Sequence, residues 1–199
     1  MAVFLYPHKI MKKLYPLHLL LSVFLLMLSS CTAQGQIMFP RTGDELYKVL
    51  YFNPEVFPDI EEIKEPTNSA FFSAVTNNFT AYKNNEFLRV NDYTSFDTTD
   101  AESIQDFCKY NNADFVVISK VKYFKVGFGK YIFSNQVVVS MKVYDANGDL
   151  ITETSYDTYK KNARMLGSAE NSIRIGTNGA MKNIVKNFRK LKKEERNAS

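Results

Sequence analysis

Histidine is nearly missing from this 199-residue chain, and the two it has, His8 and His18, both fall within the first 30 positions. From Cys31 onwards there is none. That excludes Ser-His and Cys-His nucleophilic pairs, histidine-ligated zinc and a histidine general base. Cysteine is as scarce, with only Cys31 and Cys108. The glycine signatures of nucleotide sites and hydrolase elbows are absent too: no P-loop, no dinucleotide fingerprint, no Gly-x-Ser-x-Gly. Nor is there a comfortable membrane span. The run from Leu17 to Leu28 covers 12 residues and is broken by His18 and Ser22, where a bilayer core needs about 20.

That short run has another use. It fits the apolar region of a cleaved export signal, which is about 7–15 residues long, and Lys12-Lys13 supply the positive start. Met11, just before them, is a second candidate start codon. Leu28-Ser29-Ser30-Cys31 then closes the run. Leu three positions before a cysteine, with small residues between, resembles the lipobox of bacterial lipoproteins. The resemblance implies a signal peptide over residues 1–30, diacylglyceryl transfer to the Cys31 thiol, cleavage before Cys31, and acylation of the new amino terminus. Each buried methylene contributes about 0.8 kcal/mol, so two chains hold stably. Thr32, rather than Asp, after the cysteine favours the outer membrane. No acidic run follows to direct surface export, which leaves the periplasmic face. With Cys31 acylated, Cys108 has no disulfide partner and reads as a small buried hydrophobe.

The mature chain would hold 169 residues with 22 basic and 21 acidic side chains, enough for one domain. Charge is spread unevenly. Cys31 to Met181 carries 15 basic and 19 acidic residues, whereas Lys182 to Arg196 carries seven and two. Such an end suits the negative pole of a helix or an anionic head group. Nucleic acid is not an expected partner.

The spacing predicts one α/β (α+β) domain over 44–193, between a lipidated tether (31–43) and a charged tail (194–199). The order is β-α-β-α-β-β-β-α, a mixed four- to five-stranded sheet with about three helices. Tyr47 to Phe52 is the first strand. Asn53 to Pro66 contains three prolines and reads as a loop unable to hold a continuous helix. Thr67 is then the expected N-cap of a helix whose face is Phe71, Val75, Phe79 and Tyr82. Phe87 to Val90 gives a second strand. Asp100 or Thr99 caps a second helix, with Ile104, Phe107 and Cys108 inward, ending at Asn111-Asn112. Strands follow at Phe115 to Lys125, through Val137, Val139, Met141 and Val143, and at Leu150 to Tyr159. Asn147-Gly148 predicts a type I′ hairpin between the last two. The last helix runs from Ser168 to Leu191, with Ile173, Ala180, Ile184 and Phe188 on one side. Gly176 and Gly179 inside it predict either close approach to the sheet or a break.

Motifs for chemistry are weak. Asp145 to Asp149 begins like a calcium loop, but Leu150 stands where that loop needs Gly and Tyr156 where it needs Glu. Glu61-Glu62 and the Asp97, Asp100, Glu102 group read as solvated loop and cap acids, so no catalytic residue, metal or cofactor is expected. Tyr123 to Phe133 is more unusual, with five aromatics and two lysines around Gly127 and Gly129. If strands meet there, alternate rings project outward, and Phe128, Lys130 and Tyr131 become candidate partner-binding residues.

The order of elements, with Asn112-Ala113-Asp114-Phe115-Val116-Val117-Ile118 leading from a helix end into an apolar strand, resembles the small periplasmic domain of LpoB, CsgG and the amino-terminal part of TolB. That resemblance implies docking onto other envelope proteins and no catalysis. It implies either a regulator of peptidoglycan synthesis, as LpoB is, or a secretion component, as CsgG is. A tether of at most roughly 45 Å is short for the first role, and no alternating membrane-spanning hairpins are available for the second. The expectation is a lipid-anchored, non-enzymatic interaction module of a membrane or wall-assembly complex. The competing enzyme reading, acid-only hydrolysis, requires two carboxylates converging in a cleft.

Overall fold

Val49, Leu50, Tyr51 and Phe52 are consecutive, and none of them has exposed surface. A strand buried on both faces must lie inside a sheet covered by helices on each side. In a computed structural model, which describes residues 47–80, 85–125, 133–161 and 167–198, this strand is β1 (Tyr47–Phe52). It is followed by β2 (Glu55–Phe57), α1 (Glu61–Thr80), β3 (Asn85–Val90), α2 (Ala101–Asn111), β4 (Phe115–Lys125), β5 (Phe133–Asp145), β6 (Leu150–Asp157), the short α3 (Thr158–Lys161) and α4 (Ala169–Ala198). The sheet order is β3-β1-β4-β5-β6, with β2 also paired to β4. β1 runs parallel to both β3 and β4, and β4-β5-β6 is antiparallel. This is the expected mixed α/β domain, with the three-residue β2 and the one-turn α3 added.

The connections explain the layers. The chain moves from β1 one way to β3, then back across β1 to β4. Right-handed crossovers in opposite directions place their helices on opposite faces. The buried residues follow this rule. Val49, Tyr51, Val117, Val121, Val139, Met141 and Val143 pack under α1 (Phe71, Val75) and α4 (Ile173, Ile184, Phe188). On the other face, Leu50, Phe52, Val116 and Ile118 pack with Ile104 and Cys108 of α2.

Helix α2 begins and ends as its residues dictate. The Asp100 side chain accepts from Ser103 N, and Asn112 adopts the left-handed conformation (φ 49°) with its N–H on the last carbonyls. Helix α4 runs unbroken through both glycines because the sheet approaches too closely for a side chain. A Cβ on Gly176 would lie 2.6 Å from Val139 Cγ2, and one on Gly179 would lie 2.1 Å from Tyr156 Cδ2.

Three expectations are corrected. The stretch 53–66 is no simple loop, because α1 begins at Glu61 and contains Pro66. Pro66 lies in the second turn, where it removes the bond its N–H would give to the Glu62 carbonyl and crowds that carbonyl, a local cost the helix bears. The acidic first turn, Glu61 and Glu62, favours the positive pole. Thr67 is therefore inside the helix and is no N-cap. Fully buried, its hydroxyl donates to the Ile63 carbonyl (2.6 Å), which leaves its oxygen to accept from the Tyr123 hydroxyl (2.6 Å). Second, the β5-β6 hairpin forms without a type I′ turn. Among the described residues, Gly148 (φ 81°) and Asn112 are the ones with positive φ, so Asn147 does not have the value that turn needs. Gly148 N instead donates to Asp145 O, and the Asp145 carboxylate accepts from the N–H groups of Asn147 and Asp149. The result is a longer loop with a bulge between Val143 and Tyr144. Third, β6 stops at Asp157 rather than Tyr159. The Thr158 hydroxyl bonds both N and O of Val137, and the Asp157 carboxylate caps the turn that follows.

A candidate docking cleft at the far end of the sheet

The path of β1 into β2 creates a cleft. Register places Val49 opposite Phe115 and Phe57 opposite Lys122 on β4. Seven residues of strand rise along β4 put Phe57 about 23 Å beyond the level of Val49. Strand β3 ends level with Phe52. The chain after it stays close for one more bond, from Asn53 N to Asp92 O. Beyond that, no described strand pairs with the side of β2 away from β4.

The open edge of β2, the first turns of α1 and the loop at Tyr93 and Ser95 surround a cleft of about 560 Å3. Its rim carries two exposed rings, Phe57 (50% exposed) and Tyr93 (70% exposed). The Lys122 ammonium lies 5.6 Å from the Phe57 ring centre, within cation–π reach. Asn68 lines the wall, and its buried Oδ1 has no hydrogen-bond partner among the described residues.

Of the four carboxylates lining this cleft, Glu55, Asp59 and Glu61 are held by cations, and Glu65 is exposed to solvent. Lys120 Nζ lies 2.9 Å from Glu55 and 2.7 Å from Asp97. Glu55 also accepts from Phe96 N. The Lys120 pKa is raised by Asp97 and by Glu55, and Asp97 is lowered by Lys120. Lys64 pairs with both Asp59 (2.8 Å) and Glu61 (2.9 Å), which raise its pKa, in that order. Lys142 donates to Phe96 O and sits 4.6 Å from its ring centre. This network ties the loop after β3 across β2 and β4, and it spends the nearby acids on structure.

Sequence reasoning placed the docking site elsewhere. Cys31, Phe128, Lys130 and Tyr131 all lie outside the described residues. Tyr123, at the start of the aromatic segment, is core, bonded to Thr67; its neighbour Phe124 meets Tyr159 with ring centroids 6.2 Å apart. Cys108 is buried as expected, and its thiol is pushed up to about 11, by burial first and then by the charges of Asp145 and Asp114. Missed in the sequence were Phe57 and Tyr93. Their only sequence signal was an aromatic in each of two otherwise largely polar loops, and the second loop also holds the buried Phe96.

No helix among the described residues is long and apolar enough to cross a membrane, and no group there could hold a metal ion. No protein-family model matches the chain. No curated protein matches it either. Solved structures do. A PelC dodecamer from Paraburkholderia phytofirmans is 10% identical, over 74% of this chain and 94% of that one, with a TM-score of 0.47. Lipoprotein GNA1162 from Neisseria meningitidis is 13% identical over 56% and 81%, with a TM-score of 0.36. The hypothetical protein CT253 from Chlamydia trachomatis is 11% identical over 70% and 93%, with a TM-score of 0.34. Likenesses at this level do not say what the chain does.

Proposed function

We propose that the chain is a lipid-anchored envelope protein that binds another protein and catalyses nothing. It would be held by acylated Cys31, facing the periplasm from the outer membrane, as part of a membrane or wall-assembly complex. One observation carries the reading. The described chain begins at Tyr47, at one end of the sheet, while the cleft and its exposed rings lie at the opposite end. A domain built this way holds its binding edge away from its own membrane.

The occupant that fits is an extended segment of a partner protein. β2 offers backbone groups along its free edge, Phe57 and Tyr93 offer apolar surface beside them, and Asn68 Oδ1 offers an unmet acceptor. An acid-only hydrolase fits less well. Such chemistry needs a carboxyl kept protonated in apolar surroundings, whereas Glu55, Asp59 and Glu61 each sit on a lysine ammonium and Glu65 is exposed to water.

Crosslinking and pull-down from intact envelopes tests the reading. Replacing Phe57 and Tyr93 together with Ser is expected to shift the thermal midpoint by less than about 2 °C, since both rings are exposed, and to remove the partner. Retention of the partner by a folded double variant would send the search to Phe128, Lys130 and Tyr131.

A further inference from the structure

The sequence from Lys182 to Lys193 contains six basic residues and no acid, and the structure sorts them. At 3.6 residues per turn, Lys182, Lys186, Arg189, Lys190 and Lys193 fall within an arc of about 100°. All five are exposed. Met181, Ile184 and Phe188 face the core from the other side of the helix. The stripe is about 16 Å long at 1.5 Å per residue. Its nearest acid is Glu194, 3.8 Å from Lys190.

What singles out this face is its position. The Phe188 ring centre lies 6.1 Å from that of Phe115, which lies 5.5 Å from that of Tyr47. The basic end of α4 is thus on the same side as Tyr47, the first described residue, 16 positions after Cys31. That stretch spans at most about 55 Å fully extended.

We propose that the basic face of α4 lies on the anionic head groups of the membrane that holds the Cys31 lipid, fixing the orientation of the domain. The inference rests on the lipid anchor proposed above. Charge complementarity names the occupant. The remainder of the mature chain is acidic on balance, with 15 basic against 19 acidic residues from Cys31 to Met181, so the cationic stripe is a localised pole. A second, electrostatic contact next to a lipid anchor adds to its hold on an anionic surface and is screened by salt. With α4 on the membrane, the cleft faces away from it.

The test uses the full lipidated chain in vesicles of phosphatidylcholine alone or with phosphatidylglycerol. Brief acetylation is read at each lysine by mass spectrometry. On anionic vesicles the reactivity of Lys182, Lys186 and Lys190 is expected to fall about fivefold or more, with Lys122 at the far end unchanged. High salt should restore it, and neutral vesicles should not produce it. Replacing Lys182, Lys186 and Lys190 with Glu should leave flotation intact and abolish protection at Lys193. Equal reactivity on neutral and anionic vesicles overturns the proposal. So does protection by soluble polyphosphate but not by vesicles, which would assign the face to an acidic polymer. A chain that fails to float with neutral vesicles refutes the anchor instead, and lysine protection on anionic vesicles still decides the helix face.

Discussion

Cys108 shows how far one residue can be read. Its spacing with Ile104, and the lack of any histidine after residue 18, argue for a structural thiol. The structure places it at 3% exposure among Leu50, Phe52 and Ile118. A thiol raised to about 11 stays protonated at neutral pH and is a poor nucleophile. Cys108→Ala should therefore cost about 1 kcal/mol, the loss of one buried atom, measured by urea unfolding. Partner binding should survive, and the native protein should react with a thiol reagent only on unfolding. Asp100 is a residue whose role depends on pH. Its carboxyl is lowered chiefly by the hydrogen bonds from Ser103 N and Oγ. A lowered folded-state pKa means its contribution is present above the ordinary carboxylate range and fades as pH falls through the folded value. Asp100→Ala should destabilise the domain at pH 7, with the difference from the unmodified protein shrinking in acid, below the ordinary carboxylate range. Paired melts at the two pH values check it. Equal losses at both would mean the cap works through packing.

Among the elements, strands and helices with strong periodicity were legible and their boundaries were not. β1, α2 and the alternation of β5 follow from burial patterns that the sequence displays directly. The start of α1 was hidden because Pro66, in the second turn, reads as a breaker, yet the helix accepts the loss of its one bond to the Glu62 carbonyl and runs on from Glu61. The hairpin turn was misread because Asp145, two residues before Asn147, supplies the carboxylate that stabilises a different loop. Gly176 and Gly179 signalled either contact or a break, and only the positions of Val139 and Tyr156 on the sheet decide between them. Gly179→Ala should cost about 3 kcal/mol, because the new methyl would enter the Tyr156 ring and the helix would have to lift. Combining it with Tyr156→Leu should recover much of that loss, and a double-mutant cycle on unfolding free energies measures the coupling. Strictly additive losses would show that the glycine is tolerated for some reason other than that ring.

At the scale of the whole molecule, the two ends of the sheet differ. One end holds Tyr47, where the described chain begins, and the cationic face of α4. The other carries the cleft, Phe57 and Tyr93. No single segment of sequence shows this polarity, because it arises when β2 continues the line of β1 along β4 and when α4 returns its basic end to Tyr47. The resemblance of Leu28-Ser29-Ser30-Cys31 to a lipobox, by contrast, is a local signal, and the proposed anchor is the frame in which that polarity has meaning. Intact-mass analysis of the protein extracted in detergent from its native envelope, with sequencing of the amino-terminal peptide, tests this frame most directly. The account predicts a chain that begins at Cys31, bears acyl chains there, and is retained as an uncleaved precursor when Cys31 is replaced by Ser. A soluble, unlipidated mature form beginning at another residue would contradict it.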